Sequence, residues 1–164
     1  MRDVLSVLNR YGVLKVPWSL WAIVALQARH WILLVLVVLS ARRSPDTVRL
    51  LGDDFSWLQL GLEAPILFLV LAIMQRHPEA GRLVRALWRR GREIVSIAAL
   101  LNLGWVAWFL ASSYYWRPWP ERVVLLLGFV DLLILVSVWR SEHYRQLFSE
   151  FPESSSSSKQ EALK

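Results

Sequence analysis

The run Pro17–Ala41, PWSLWAIVALQARHWILLVLVVLSA, sets an arginine and a histidine, Arg29 and His30, in the middle of a long apolar stretch. A helix of this length reaches about 35 Å, enough to cross a bilayer with some tilt. It is too long for a signal-peptide core, too long a stretch precedes it, and no A-x-A site follows. The expectation is a retained signal anchor whose centre carries a charge. A charge at that depth costs roughly 2.5–3.5 kcal/mol on insertion scales, so Arg29 must face other helices and find partners there.

Working outward, three more apolar blocks follow, at about 56–75, 94–113 and 122–139. The apolar residues form continuous blocks instead of recurring at every third or fourth position, which is the pattern of membrane spans. Composition agrees: 55% of the chain is hydrophobic, above the soluble range, and mean hydropathy is +0.39. The sequence therefore predicts an all-α membrane protein with four transmembrane helices in a bundle. Residues 1–16 form a cytoplasmic N-terminal segment, 17–140 the four-span domain and 141–164 a cytoplasmic tail, disordered from about 152. Trp18, Trp21 and Trp139 mark one set of span ends; Trp57, Tyr114, Tyr115, Trp116 and Trp119 mark the other.

Orientation follows from the connections. Thirteen Lys and Arg fall in the N-terminal segment, the second connection and the tail, against five in the other two connections. The larger set belongs on the cytoplasmic side, so both termini are expected inside. The second connection, RHPEAGRLVRALWRRGRE, is the most basic part of the chain. It predicts a short amphipathic cytoplasmic helix between spans 2 and 3, with Leu83, Leu87 and Trp88 on one face. Arg82, Arg85, Arg89, Arg90 and Arg92 are its candidate contacts to anionic lipid headgroups; the plainer reading is a topology anchor. Near the N-terminus, Val4, Leu8 and Tyr11 share a helical face that either lies on the membrane or frays.

Each span carries a strongly polar residue near its middle: Arg29 with His30, Glu63, Asn102 and Asp131. Pro65 predicts a kink close to Glu63. Trp18, Ala22, Ala25 and Arg29 fall on one stripe of the first span, and its small residues admit a close neighbour. Gln59 with Glu63, Ala98 with Asn102 and Trp105, and Gly128 with Asp131 form the matching stripes. Gln27 and His30 make an adjacent polar face. The expectation is a central polar cluster of Arg29, His30, Glu63, Asn102 and Asp131. It either fixes helix pairing or handles a proton, an ion or a substrate.

The segment Tyr11–Val35 resembles the opening of the YfeZ-like bacterial inner-membrane proteins, a domain of unknown function. Tyr11, Gly12, Leu14, Lys15, Pro17, Trp21, Ala28 and Arg29 carry the likeness, which extends over roughly 9–140 through EAPILFL and LWRRGREI. The resemblance implies a multi-span inner-membrane protein of proteobacterial type, and no activity, cofactor or catalytic residue. His30 stands where a proline can follow the family's arginine.

The chain has no cysteine, so it has no disulfide, thiolate metal site or cysteine nucleophile. No G-x-S-x-G, H-E-x-x-H or P-loop pattern occurs, and His77 and His143 lack companions at metal-ligand spacing. An enzyme, a cofactor and a metal site are not expected. The net charge of +6 lies mostly between apolar runs, so nucleic acid is not an expected partner. A non-enzymatic subunit, assembly factor or scaffold is the first expectation, with a membrane partner or a homo-oligomer. The second is a small proton- or ion-coupled transporter or channel using the Arg29, Glu63 and Asp131 cluster.

Overall fold

The computed structural model describes residues 13–41, 57–112 and 118–152. The regular elements among them are all α-helices: α1 (Trp18–Gln27), α2 (Arg29–Ala41), α3 (Trp57–Met74), α4 (Arg82–Arg89), α5 (Gly91–Ser112), α6 (Pro118–Arg140) and α7 (Glu142–Ser149). Three of them, α3, α5 and most of α6, are long and apolar enough to cross a membrane. The amphipathic N-terminal face, the first outer connection, Tyr114, Tyr115 and Trp116 of the outer aromatic set and the predicted disordered tail beyond Pro152 lie outside the described residues, whereas Trp57 opens α3 and is exposed.

The first apolar run departs from expectation. It is two helices that meet at Ala28 with a bend of 75°. Neither Pro nor Gly stands at the bend, so the cause lies in the polar partners described below. By contrast, α3 stays helical through Pro65.

The helix α5 is the spine: it packs along α3 on one side and α6 on the other, and α1 leans on both α3 and α5. At the α5–α6 contact, a Cβ built on Gly128 would come within 3.1 Å of Val106 Cγ1, so only glycine allows this approach without displacement. Leu20, Ile66, Leu69, Ala72, Val95 and Val138 fill the apolar core. On α1 the buried face is Leu20, Ile23, Val24 and Gln27. The predicted inward stripe is thus wrong: Trp18, Ala22 and Ala25 are exposed and line an apolar groove. A helix surrounded by lipid is apolar on every side, so hydrophobicity alone does not say which face packs.

One end of the bundle is closed by α4, α7 and the residues before α1. Trp88 is fully buried, and its indole N–H donates to the carbonyls of Leu147 (3.0 Å) and Glu150 (2.8 Å). Its ring lies 5.1 Å from that of Phe148. Gly91 lies beneath Phe148, and a Cβ there would overlap the ring. Arg76 donates to the carbonyls of Leu14 (2.6 Å) and Glu150 (3.1 Å) and lies over Trp88. Burial pulls its guanidinium down to about 10, opposed in part by Glu150, which leaves it protonated at neutral pH. Glu150 also accepts the Leu14 N–H, and Tyr144 donates to Ser19. The start of the predicted tail is therefore an ordered helix. On α4 the buried residues are Val84 and Trp88, while Leu83 is exposed, contrary to the predicted face.

Candidate functional site

The bend at Ala28 brings the polar residues of four segments together. Gln27 ends α1, and Arg29 and His30 open α2. Glu63 comes from α3, Asn102 from α5 and Asp131 from α6. Gln27, Glu63, Asn102 and Asp131 are buried; Arg29 and His30 sit at the edge, with side chains 17% and 19% exposed.

The tightest links run through Gln27. Its amide donates to Asp131 Oδ1 (3.1 Å), and its carbonyl oxygen accepts from Asn102 Nδ2 (2.9 Å). One side chain thereby ties α1 to α5 and α6. Glu63 holds the other half of the site. It accepts the backbone N–H of His30 at Oε2 (3.0 Å) and meets His30 Nδ1 at Oε1 (2.5 Å). Trp31 donates to the Leu60 carbonyl at 3.1 Å, a second tie from α2 to α3.

Arg29 sits between the two acids at longer range. Its Nε lies 3.7 Å from Glu63 Oε1 and its Nη1 3.8 Å from Asp131 Oδ2. Its direct hydrogen bond goes to the Leu26 carbonyl, at 3.2 Å.

Those contacts explain the bend. Breaking a helix exposes carbonyls at the end of the first piece and N–H groups at the start of the second, and inside a bilayer water cannot satisfy them. Here the arginine covers a carbonyl in the last turn of α1, and the Glu63 carboxylate covers an N–H in the first turn of α2. Each charge also stands at the helix end whose dipole favours it.

All five predicted cluster residues are brought together. Gln27, read only as part of an adjacent face, is the link that was missed. Its detectable signal is chemical: an amide is the one buried group here that both donates and accepts. The predicted lipid contacts divide. Arg82, Arg89 and Arg90 are exposed. Arg85 is half-buried and donates to the carbonyls of Pro78 (2.7 Å) and Ala80 (3.2 Å). Arg92 lies over Trp139. Among the described residues, no group of three His, Asp or Glu gathers in a way that could hold a metal ion.

Comparison with known proteins supplies the family. The family model described as "Protein of unknown function (DUF2919)" matches residues 4–150. The chain belongs to this family. A relative within reach is the "Inner membrane protein YfeZ" of Escherichia coli (strain K12), 24% identical over 149 residues, covering 88% of this chain and 93% of that one. No solved structure matches the chain. The family, the all-helical fold of the described residues and three to four candidate spans together make this a helical membrane protein of a family of unknown function.

Proposed function

We propose that the protein is a four-span, non-enzymatic component of the bacterial inner membrane, with both termini cytoplasmic, serving as a subunit, assembly factor or scaffold. The observation that carries this reading is how the polar cluster uses its groups. Its hydrogen bonds and ion pairs run from one helix to the next or stitch the break at Ala28, as expected of a device that fixes helix pairing. The inner-membrane name of the relative supports the location. Reach supports four crossings: helices of 10 and 13 residues joined at 75° span about 27 Å end to end, the same as the 18 residues of α3. The basic balance of the connections supports the orientation.

Purification in mild detergent, with mass spectrometry of co-purifying proteins, tests the role. A stoichiometric partner is the expected result; isolation alone, at native expression, counts against it. Orientation is tested apart from role. The chain has no cysteine, so Ser157→Cys gives a single label site, expected to react with an impermeant thiol reagent only in inverted vesicles.

One observation favours a second reading, a proton- or ion-coupled transporter. Broken helices at membrane depth line ion sites in transporter folds, and here Arg29 Nε and Asp131 Oδ2 are buried without hydrogen-bond partners. Flux in liposomes that vanishes with Asp131→Asn would support it.

A further inference from the structure

We propose that the α4–α5 corner and the end of α6 form a docking site for the phosphate of an anionic phospholipid in the cytoplasmic leaflet, centred on Arg92 and Trp139. The inference rests on the orientation proposed above.

The two residues are locked together. The Trp139 indole N–H donates to Ser96 Oγ (2.7 Å), and Ser96 Oγ donates to the Arg92 carbonyl (2.8 Å). Arg92 Nη2 donates to the Trp139 carbonyl (3.3 Å), and its guanidinium carbon lies 4.5 Å from the ring centroid. Trp139 as a residue remains 54% exposed. Arg92 opens the long apolar run of α5 and Trp139 closes that of α6, so the stack stands where apolar spans meet polar connections. Tryptophan is favoured at that level of a membrane.

Positive charge gathers around it. Arg89 and Arg90 precede Arg92 within three residues, and Arg140 follows Trp139; all three side chains are exposed. Among the described residues no ion pair joins any of these four arginines to a carboxylate. Glu93 is the acidic residue beside them on α5, and Glu142 is paired with Arg145 at 2.6 Å. Below the stack, Leu133 and Val136 present exposed apolar surface on α6. A cationic rim above an apolar flank matches a lipid, with phosphate at the rim and acyl chain along the helix; nucleic acid would leave the flank unpaired.

Native mass spectrometry of the full chain, released from nanodiscs of equal phosphatidylglycerol and phosphatidylcholine, tests this. The wild type is expected to retain phosphatidylglycerol at least tenfold over phosphatidylcholine. Each arginine removed should lower that preference about fivefold. Arg92→Gln with Arg140→Gln should therefore nearly abolish it, while Arg145→Gln leaves it unchanged. Should the first pair fold poorly, Arg89→Gln with Arg90→Gln alters exposed side chains alone and carries the same expectation. Equal retention of both lipids by wild type, or an unchanged preference in the arginine pairs, overturns the site. The thiol-labelling result reads orientation separately.

Discussion

Replacing Gln27 with leucine tests whether the neutral amide, and not the arginine, holds the bundle together. Leucine has nearly the same volume, so the change removes hydrogen bonds without opening a cavity. Two are lost: the one to Asp131 Oδ1 at 3.1 Å and the one from Asn102 at 2.9 Å. A bond to a carboxylate contributes about 1.5–3 kcal/mol and a neutral one about 0.5–1.5. Interhelical bonds measured in a membrane protein average nearer 0.6 each. The loss should be about 3 kcal/mol and at least about 1, raised by the fact that Asp131 Oδ2 already lacks a hydrogen-bond partner. Reversible unfolding in mixed micelles, followed by tryptophan fluorescence, measures it. A double-mutant cycle with Asp131→Leu isolates the pair, since removing both partners should cost less than the two single losses added. A Gln27→Leu protein within 0.5 kcal/mol of wild type, or a strictly additive cycle, refutes the reasoning.

Two predictions concern the closed end. Gly91→Ala places a methyl group in the space of the Phe148 ring. Overpacking of about 1–3 kcal/mol, partly offset by alanine's better helix propensity, should loosen α7, read as faster proteolysis near residue 150 and a lower melting temperature. Trp88→Phe keeps an aromatic ring but deletes the indole N–H that serves Leu147 and Glu150. A loss of about 1–2 kcal/mol and a more accessible C-terminal segment are expected; unchanged proteolysis would deny the indole its role as a latch.

Much of this architecture was readable as sequence. The predicted blocks 56–75, 94–113 and 122–139 correspond to α3, α5 and α6, because apolar runs bounded by charge leave little freedom in where a span begins or ends. The partners of Arg29 were also legible, since a charge at depth must find the acids that share its level. The bend at Ala28 was not. It comes from Glu63 and Arg29 satisfying opposite ends of a broken helix, contacts separated by 33 residues in one case and made within a single turn in the other. No local signal of the proline or glycine kind announces it. Facing was likewise hidden, because lipid and protein interior are equally apolar; Trp18, Ala22 and Ala25 look like a packing seam and lie outside. The buried C-terminal helix was missed since its polar residues disguise Tyr144, Leu147 and Phe148, three anchors at helical spacing.

The bend at Ala28 also sets a schedule. Neither α1 nor α2 is long enough to cross a bilayer alone, and the pair is held in shape by residues made later. Glu63 follows His30 by 33 residues and Asp131 follows Gln27 by 104. At about 5–20 residues per second, Asp131 is made roughly 5–20 seconds after Gln27. The histidine waits about 2–7 seconds for Glu63, while the amide and the arginine lack Asp131 for the whole interval. A segment synthesised before its partners is therefore among the last to be finished.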